Sequence, residues 1–135
     1  MFEVSVDETF SAGHALRGYK GKCENPHGHN YKVRLTVQGP QLDSIGLLFD
    51  FVHLKQVLRA VINNMDHKYL NDQPPFIELN PSAENIAKYL YDEVARGLKE
   101  LAAASASPVP DANNAAKITS VTVWETDITS ATYHP

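Results

Sequence analysis

The hydrophobic period of this chain changes along its length, and that change most limits the folds it can adopt. Residues 2–6 alternate apolar and polar side chains, and residues 31–37 repeat the alternation before Gly39-Pro40 ends the run. A period of two is typical of a strand with one buried face, so both segments predict β-strands. We expect the first strand to continue towards His14 and to pair antiparallel with the second. One face of the pair would be exposed to solvent.

After Asp50, which is a suitable N-cap, apolar residues recur at helical spacing and predict a first helix. They are Leu54, Val57, Leu58, Val61, Ile62 and Met65. The sequence NDQPP at 71–75 interrupts this pattern. A second helix is expected to begin near Asn80-Pro81, because proline suits the first turn of a helix. Its apolar positions are Ile86, Leu90, Val94, Leu98 and Leu101.

The last third of the chain predicts two further strands. Residues 118–126 (ITSVTVWET) are the most β-like run, and 131–133 add a short edge strand. Residues 102–116 are small and polar and are interrupted by proline, which indicates a flexible loop. The order β-β-α-α-β-β predicts one α+β domain over residues 1–135, with two helices on one face of a four-stranded antiparallel sheet. Its open edges and second face would be covered by self-association.

Composition narrows the classes of partner. Twelve basic and sixteen acidic residues give a net charge of −4, which does not favour nucleic acid. No stretch approaches the ~20 apolar residues of a membrane span, and the N-terminus does not resemble a signal peptide. The single cysteine cannot form an internal disulfide, so we expect a reducing, cytoplasmic setting. A basic cluster at Arg17, Lys20 and Lys22 is either a solvated loop or an anion-binding site.

Three histidines could form a metal site. His27 and His29 stand two apart around Gly28, so in an extended segment their side chains point the same way. His14 ends the strand that would pair with theirs, and could supply a third nitrogen. Three histidines with an open position are typical of catalytic zinc. A pair of this kind also occurs as ordinary exposed or core histidines, and both interpretations stay open at this point.

The same loop holds Cys23 and Glu24. A lone cysteine is often a small buried hydrophobe, but KGKCENP is polar, and a nearby cation would lower the thiol pKa. Cys23 is therefore a candidate fourth ligand or general base, and Glu24 is a solvated charge or a second acid/base. Elsewhere, Asp66 could hold and charge-stabilise His67 after the first helix, or the two could be surface groups.

Glu125 ends an apolar strand, where a carboxylate is either exposed or placed to bind the N–H groups of a heterocycle. In order and spacing, these residues resemble the family of the 6-pyruvoyltetrahydropterin and 6-carboxytetrahydropterin synthases. The motifs that carry the resemblance are SAGH, CENPHGH, MDHKYLND, PSAEN, VWET and SATY, and they span nearly the whole chain.

The resemblance implies a tunnelling fold, in which protomers form barrel trimers and two trimers stack into a homohexamer with active sites between subunits. It implies zinc bound by His14, His27 and His29, and a pterin anchored by Glu125. It also implies catalysis by Cys23 with the Asp66-His67 pair. Ser82 matches a threonine that many relatives carry near the pterin. The basic residues near Arg17 could then meet the phosphates.

The resemblance further implies a lyase acting on 7,8-dihydroneopterin triphosphate. The spacing Cys-x-x-x-His-Gly-His is similar to that of the bacterial branch, which makes 6-carboxy-5,6,7,8-tetrahydropterin for queuosine and releases acetaldehyde and triphosphate. Glu24 matches a branch that makes 6-hydroxymethyl-7,8-dihydropterin for folate, so a dual-function enzyme is one alternative. A 6-pyruvoyltetrahydropterin synthase is another, and a non-catalytic zinc-binding oligomer closed by Cys23 is the rival of a different class.

Overall fold

The computed structural model describes residues 1–104 and 115–135, and its strands and helices alternate in blocks along the chain. The elements are β1 (Phe2–His14), β2 (His27–Gly39), α1 (Phe51–Ile62), β3 (Lys68–Tyr69), α2 (Ala83–Ala104), β4 (Lys117–Thr126) and β5 (Thr129–Tyr133). Short 3-10 turns lie at Lys22–Glu24 and Leu70–Asp72. None of the helices in the described ranges is long and apolar enough to cross a membrane.

The sheet has five strands in the order β3-β1-β2-β4-β5, so the prediction of a four-stranded, purely antiparallel sheet is wrong. The added strand is β3, which pairs parallel with β1 through Ala12 opposite Lys68 and Gly13 opposite Tyr69. The N–H of His67 leads into this pair by donating to the carbonyl of Ser11 at 2.6 Å. Two residues cannot display an alternating pattern, so sequence periodicity did not reveal β3.

Both helices begin at a capping side chain. The Asp50 carboxylate accepts a hydrogen bond from the N–H of Val52 at 2.8 Å, which confirms the predicted start of α1. The Ser82 hydroxyl accepts one from the N–H of Asn85 at 3.2 Å, so α2 begins at Ala83, two residues after Pro81 of the predicted start.

The far end of α2 also differs from the prediction. The helix runs to Ala104, so residues 102–104 of the predicted 102–116 loop are helical. Residues 105–114 of that loop lie outside the described residues. The helix continues through 102–104 because these residues are alanines, and alanine has the highest helix propensity.

Both helices cover the same face of the sheet. Buried side chains of β1, β2 and β4 form one core with the apolar faces of α1 and α2, as in the predicted two-layer α+β arrangement. On β2 the buried residues are Tyr31, Val33, Leu35 and Val37, and the antiparallel register sets Phe10 opposite Tyr31. Two residues further along this face, the register places the candidate histidines at the end of the core.

Candidate active site

The antiparallel register of β1 and β2 brings three histidines together on the helix-covered face. His14 lies opposite His27, and the small side chain of Ala12 lies opposite His29. The centroids of the His14 and His27 rings are 4.5 Å apart, and those of His14 and His29 are 5.0 Å apart. The predicted pairing of the first strand with the HGH segment is thus what places His14 beside the other two.

Backbone carbonyls orient two of these rings. The Nδ1–H of His14 donates to the carbonyl oxygen of Pro81, and that of His27 donates to the carbonyl oxygen of Asn25, both at 2.7 Å. A carbonyl only accepts, so each Nδ1 carries the proton, and in a neutral ring Nε2 is left with its lone pair. The two Nε2 atoms lie 3.0 Å apart. Two facing lone pairs repel each other unless a proton or a cation lies between them.

Glu125 lies in the same cluster. Its Oε1 is 3.0 Å from Nε2 of His14 and 3.0 Å from Nε2 of His29. Along β4, Glu125 alternates in step with Val121 and Val123, whose side chains are buried on the helix-covered face. The pairing of Val33 with Val123 therefore places the Glu125 carboxylate beside the HGH segment of β2.

The donor set fits a metal ion. One ligand atom from each of His14, His27, His29 and Glu125 lies within 4.8 Å of all the others. Nε2 of His29 is buried and has no hydrogen-bond partner among the described residues, although it lies near Glu125. Burial lowers the pKa of His29; the Glu125 charge opposes this shift, and the other two imidazoles reinforce it. A neutral imidazole is the form that binds metals.

Asp66 and His67 are fixed to β1 at Ser11. The N–H of Ser11 donates to Asp66 Oδ1 at 3.0 Å, and the carbonyl of Ser11 accepts from the N–H of His67. The Ser11 hydrogen bond lowers the pKa of Asp66, and the neighbouring His67 charge adds to this. Nδ1 of His67 is 2.9 Å from Asp66 Oδ1 while the side chain is 81% exposed. His67 has a left-handed φ of 59°, a conformation that is uncommon outside glycine.

A groove of about 460 Å³ connects the two groups. Its lining residues are Ser11, Ala12, Gly13, Gly28, His29, Asn30, His67, Lys68 and Tyr69. Gly13 lets the Tyr69 ring pack closely at the groove, since a Cβ on Gly13 would lie 3.3 Å from a carbon of that ring. A molecule in this groove could touch both a candidate metal ligand, His29, and the exposed imidazole of His67.

Cys23 and Glu24 lie apart from this arrangement. Both belong to the 3-10 turn Lys22–Glu24, where Cys23 is half-buried and Glu24 is exposed. Among the described residues, neither is part of the cluster of ligand atoms or of the groove lining. The fourth group beside the three histidines is Glu125.

Two further sequence candidates make structural contacts. The Ser82 hydroxyl caps α2, as described above. The Arg17 guanidinium donates to backbone carbonyls, at 2.7 Å to Phe76 and 3.3 Å to Asn71. These bonds hold the loop after β1 against the segment before α2, which gives Arg17 a role that requires no anion.

The groups that orient the histidine rings could not be predicted from the sequence. The acceptors for His14 and His27 are the main-chain oxygens of Pro81 and Asn25, and every residue carries such an oxygen. The PSAEN motif drew attention to Ser82, but it is the buried Pro81 beside it that contacts a candidate ligand. In metal sites, such outer partners set the tautomer and the direction of the ligating ring.

Known proteins are similar to this chain in sequence and in fold. The family profile described as 6-pyruvoyl tetrahydropterin synthase matches residues 3–135. A 6-carboxy-5,6,7,8-tetrahydropterin synthase of Bacillus subtilis is 39% identical over 98 residues, covering 69% of this chain and 65% of that protein. A 6-pyruvoyl tetrahydrobiopterin synthase of Poecilia reticulata is 37% identical over 105 residues, covering 67% and 71%.

The fold is also similar to a solved one. A structure of Caenorhabditis elegans 6-pyruvoyl tetrahydropterin synthase matches with a TM-score of 0.77 and 26% identity, covering 99% of this chain and 95% of that one. The family profile and the solved fold each cover nearly the whole chain, and the two relatives cover about two thirds of it. The chain therefore belongs to the 6-pyruvoyl tetrahydropterin synthase family and is a lyase of that family.

Proposed function

We propose that this protein is a zinc-dependent lyase that converts 7,8-dihydroneopterin triphosphate into 6-carboxy-5,6,7,8-tetrahydropterin, acetaldehyde and triphosphate, in the route to queuosine. The observation that carries the proposal is the groove in which His29 and His67 line the same space. It would let one substrate meet a metal centre and an acid/base pair together. The relative from Bacillus subtilis, named for this carboxy product, supports the choice of product.

The zinc ion would be held by His14, His27 and His29. A bound zinc ion supplies a Lewis acid that polarises substrate oxygens and makes the adjacent C–H more acidic. The hydrogen bonds from His14 to Pro81 and from His27 to Asn25 keep the two Nε2 lone pairs available for it. We assign the Glu125 carboxylate, which only accepts hydrogen bonds, to the N–H groups of the pterin. Its position beside His14 and His29 also makes it a candidate fourth ligand.

Proton transfer would fall to Cys23 and the Asp66-His67 pair. Cys23 as thiolate would remove a proton from the substrate side chain, and His67 would exchange a proton on the opposite face. Support for the second role comes from Asp66, whose lowered pKa keeps it ionised at neutral pH beside Nδ1 of His67. Nε2 of an imidazole held in this way is free to face a molecule in the groove.

Two neighbouring products remain candidates within the same family. The relative from Poecilia reticulata carries the pyruvoyl name at nearly the same identity as the carboxy relative, so identity does not separate these products. Glu24 directly follows Cys23 and is exposed, which supports a dual enzyme that also makes 6-hydroxymethyl-7,8-dihydropterin. In the rival non-catalytic reading, Cys23 closes the metal site; the nearness of Glu125 to the histidines argues against it.

We further propose a cytoplasmic homohexamer, a dimer of trimers, with active sites between subunits. The separation of Cys23 from the groove of its own chain supports a site to which another protomer contributes. The edge strand β5 is short and mostly exposed, and such an edge can pair with a neighbouring sheet. The lone cysteine supports a reducing compartment.

Paired variants test the assignment of the turn Lys22–Glu24. Cys23→Ala is expected to keep one zinc per chain and its fold but to lose the carboxy product, because a base is removed and no ligand is. Glu24→Ala is expected to keep the carboxy product and to lose any hydroxymethyl product. Zinc content by atomic absorption and products by chromatography and mass read both out. Loss of zinc from Cys23→Ala would instead support the closed, non-catalytic site.

A further inference from the structure

The three residues after β1 are held by side chains in the way that a strand is held by its neighbour. The N–H of Ala15 donates to Oδ1 of Asn71, and the carbonyl of Ala15 accepts from Nδ2 of Asn71, both at 2.9 Å. Asn80 repeats this with Arg17, accepting from its N–H at 2.8 Å and donating to its carbonyl at 2.9 Å. A carboxamide carries one acceptor and a pair of N–H donors, so it can replace a peptide group in a ladder.

The residue between these two faces the cysteine. The N–H of Leu16 donates to the carbonyl of Cys23 at 2.8 Å. In an extended chain, alternate peptide groups point to opposite sides, which explains why Ala15 and Arg17 meet asparagines while Leu16 meets the cysteine turn. The backbone of Cys23 is therefore connected to the candidate ligand His14 through Leu16, which bonds to it, and Ala15, whose N–H and carbonyl are both bonded to Asn71.

Both asparagines are themselves tied to the candidate site. Asn71 follows β3, whose parallel pairing with β1 begins just after His67 bonds to Ser11. Asn80 precedes Pro81, whose carbonyl orients the His14 ring, and the carbonyl of Asn80 accepts from Nδ2 of Asn85 at 2.9 Å. One hydrogen-bonded frame thus runs along the end of β1 from Ser11 to Arg17.

We infer that Asn71 and Asn80 are positioning residues, which hold His14, Cys23 and the Asp66-His67 pair in one relative geometry. Neither asparagine lines the groove or belongs to the ligand cluster, so each acts through the backbone that it holds. The inference rests on the proposed function in so far as zinc and Cys23 act in it. Its tests use binding and reactivity that require no turnover.

Asn71→Asp and Asn80→Asp are the test variants. Aspartate keeps the shape and the acceptor but sets an oxygen against the carbonyl of Ala15 or Arg17, so one hydrogen bond becomes a repulsion. Asn64→Asp is the matched control, because Asn64 is exposed and its side chain has no hydrogen bond to the described residues. Zinc affinity is measured by chelator competition. The reaction rate of Cys23, the single cysteine of the chain, is measured by iodoacetamide labelling of zinc-free protein.

The frame predicts weaker zinc binding by about 10- to 100-fold in Asn80→Asp, as for other partners behind a metal ligand. It predicts Cys23 labelling about fivefold faster in both test variants, since each loses a hydrogen bond to a residue next to Leu16, whose N–H holds the carbonyl of Cys23. The visible spectrum of the cobalt-loaded protein should change in Asn80→Asp and stay as in the parent protein in Asn64→Asp. A general loss of stability would not change that spectrum, whereas displacement of His14 would.

Parent-like zinc affinity, labelling rate and cobalt spectrum in folded Asn71→Asp and Asn80→Asp would overturn the inference. If the variants do not fold, hydrogen exchange on the unmodified protein tests the frame instead. The amides of Ala15 and Arg17 should exchange as slowly as those within β1, and exchange at the rate of an open loop would contradict the frame. If the frame passes these tests but the protein turns over no pterin, the proposed function fails alone.

Discussion

The proposed zinc ion is expected to raise the melting temperature of this protein by about 10 °C. The Nε2 atoms of His14 and His27 are 3.0 Å apart, and each ring is oriented by a carbonyl, so the folded state offers zinc a formed site that the unfolded chain lacks. Free zinc at about 100-fold above its Kd stabilises the folded state by about 2.7 kcal/mol. With an unfolding entropy of about 2.1 cal/mol/K per residue over 135 residues, that corresponds to about 10 °C.

The assay is thermal unfolding by circular dichroism, in zinc and after chelation. His29→Ala removes a ligand and should lose most of the difference between the two conditions. His134→Ala is the matched control; its Nδ1 lies 3.1 Å from the Thr119 carbonyl in the exposed C-terminal segment, and the zinc-dependent difference should stay intact. An unmodified protein that melts at the same temperature with and without zinc would refute the reasoning, as would a full shift in His29→Ala.

Three further predictions concern stability. Ser82→Ala should lower the free energy of unfolding by about 1 kcal/mol while Ser82→Asp retains it, in urea denaturation, because Ser82 caps α2; an equal loss in both would contradict the cap. Asp66→Asn should flatten the pH dependence of stability below pH 4: a lowered carboxyl pKa contributes stability above its unfolded value of 3.8, and protonation removes it as pH falls. If the stability of Asp66→Asn falls with pH below pH 4 as steeply as that of the parent protein, the role of the Ser11 hydrogen bond is contradicted. Gly97→Ala should cost about 1–3 kcal/mol, because its Cβ would lie 2.7 Å from Cγ1 of Val57; since Val57→Ala removes that atom, Gly97→Ala should cost much less when it is made in a Val57→Ala background.

Periodicity was sufficient for the elements that face the core with many residues. β1, β2 and β4 were predicted from alternation or β-rich composition, and α1 from helical spacing after Asp50. The ends of the helices were harder to predict from the sequence. Asn80-Pro81 has the pattern of a helix start, but the residue that caps α2 is Ser82. β3 was missed altogether, because two residues paired with a distant strand leave no local pattern.

The candidate metal site was also predicted in part. Strand pairing alone predicted that His14 would join His27 and His29, and the register confirms it. The approach of Glu125 to the histidines was not predicted, because it depends on the register of β4 against β2, which no local pattern in the sequence gives. The bonds of Asn71 and Asn80 to the backbone span 56 and 63 residues of sequence, so no window of the sequence contains both partners.

The product spectrum of the zinc-loaded protein tests the central claim most directly. The protein would be given 7,8-dihydroneopterin triphosphate, and the products separated by chromatography and identified by mass. The account predicts 6-carboxy-5,6,7,8-tetrahydropterin with equimolar acetaldehyde and triphosphate, and no turnover after chelation. Zinc-loaded, folded protein that leaves the substrate unchanged, or that turns it over equally well without metal, would contradict the account.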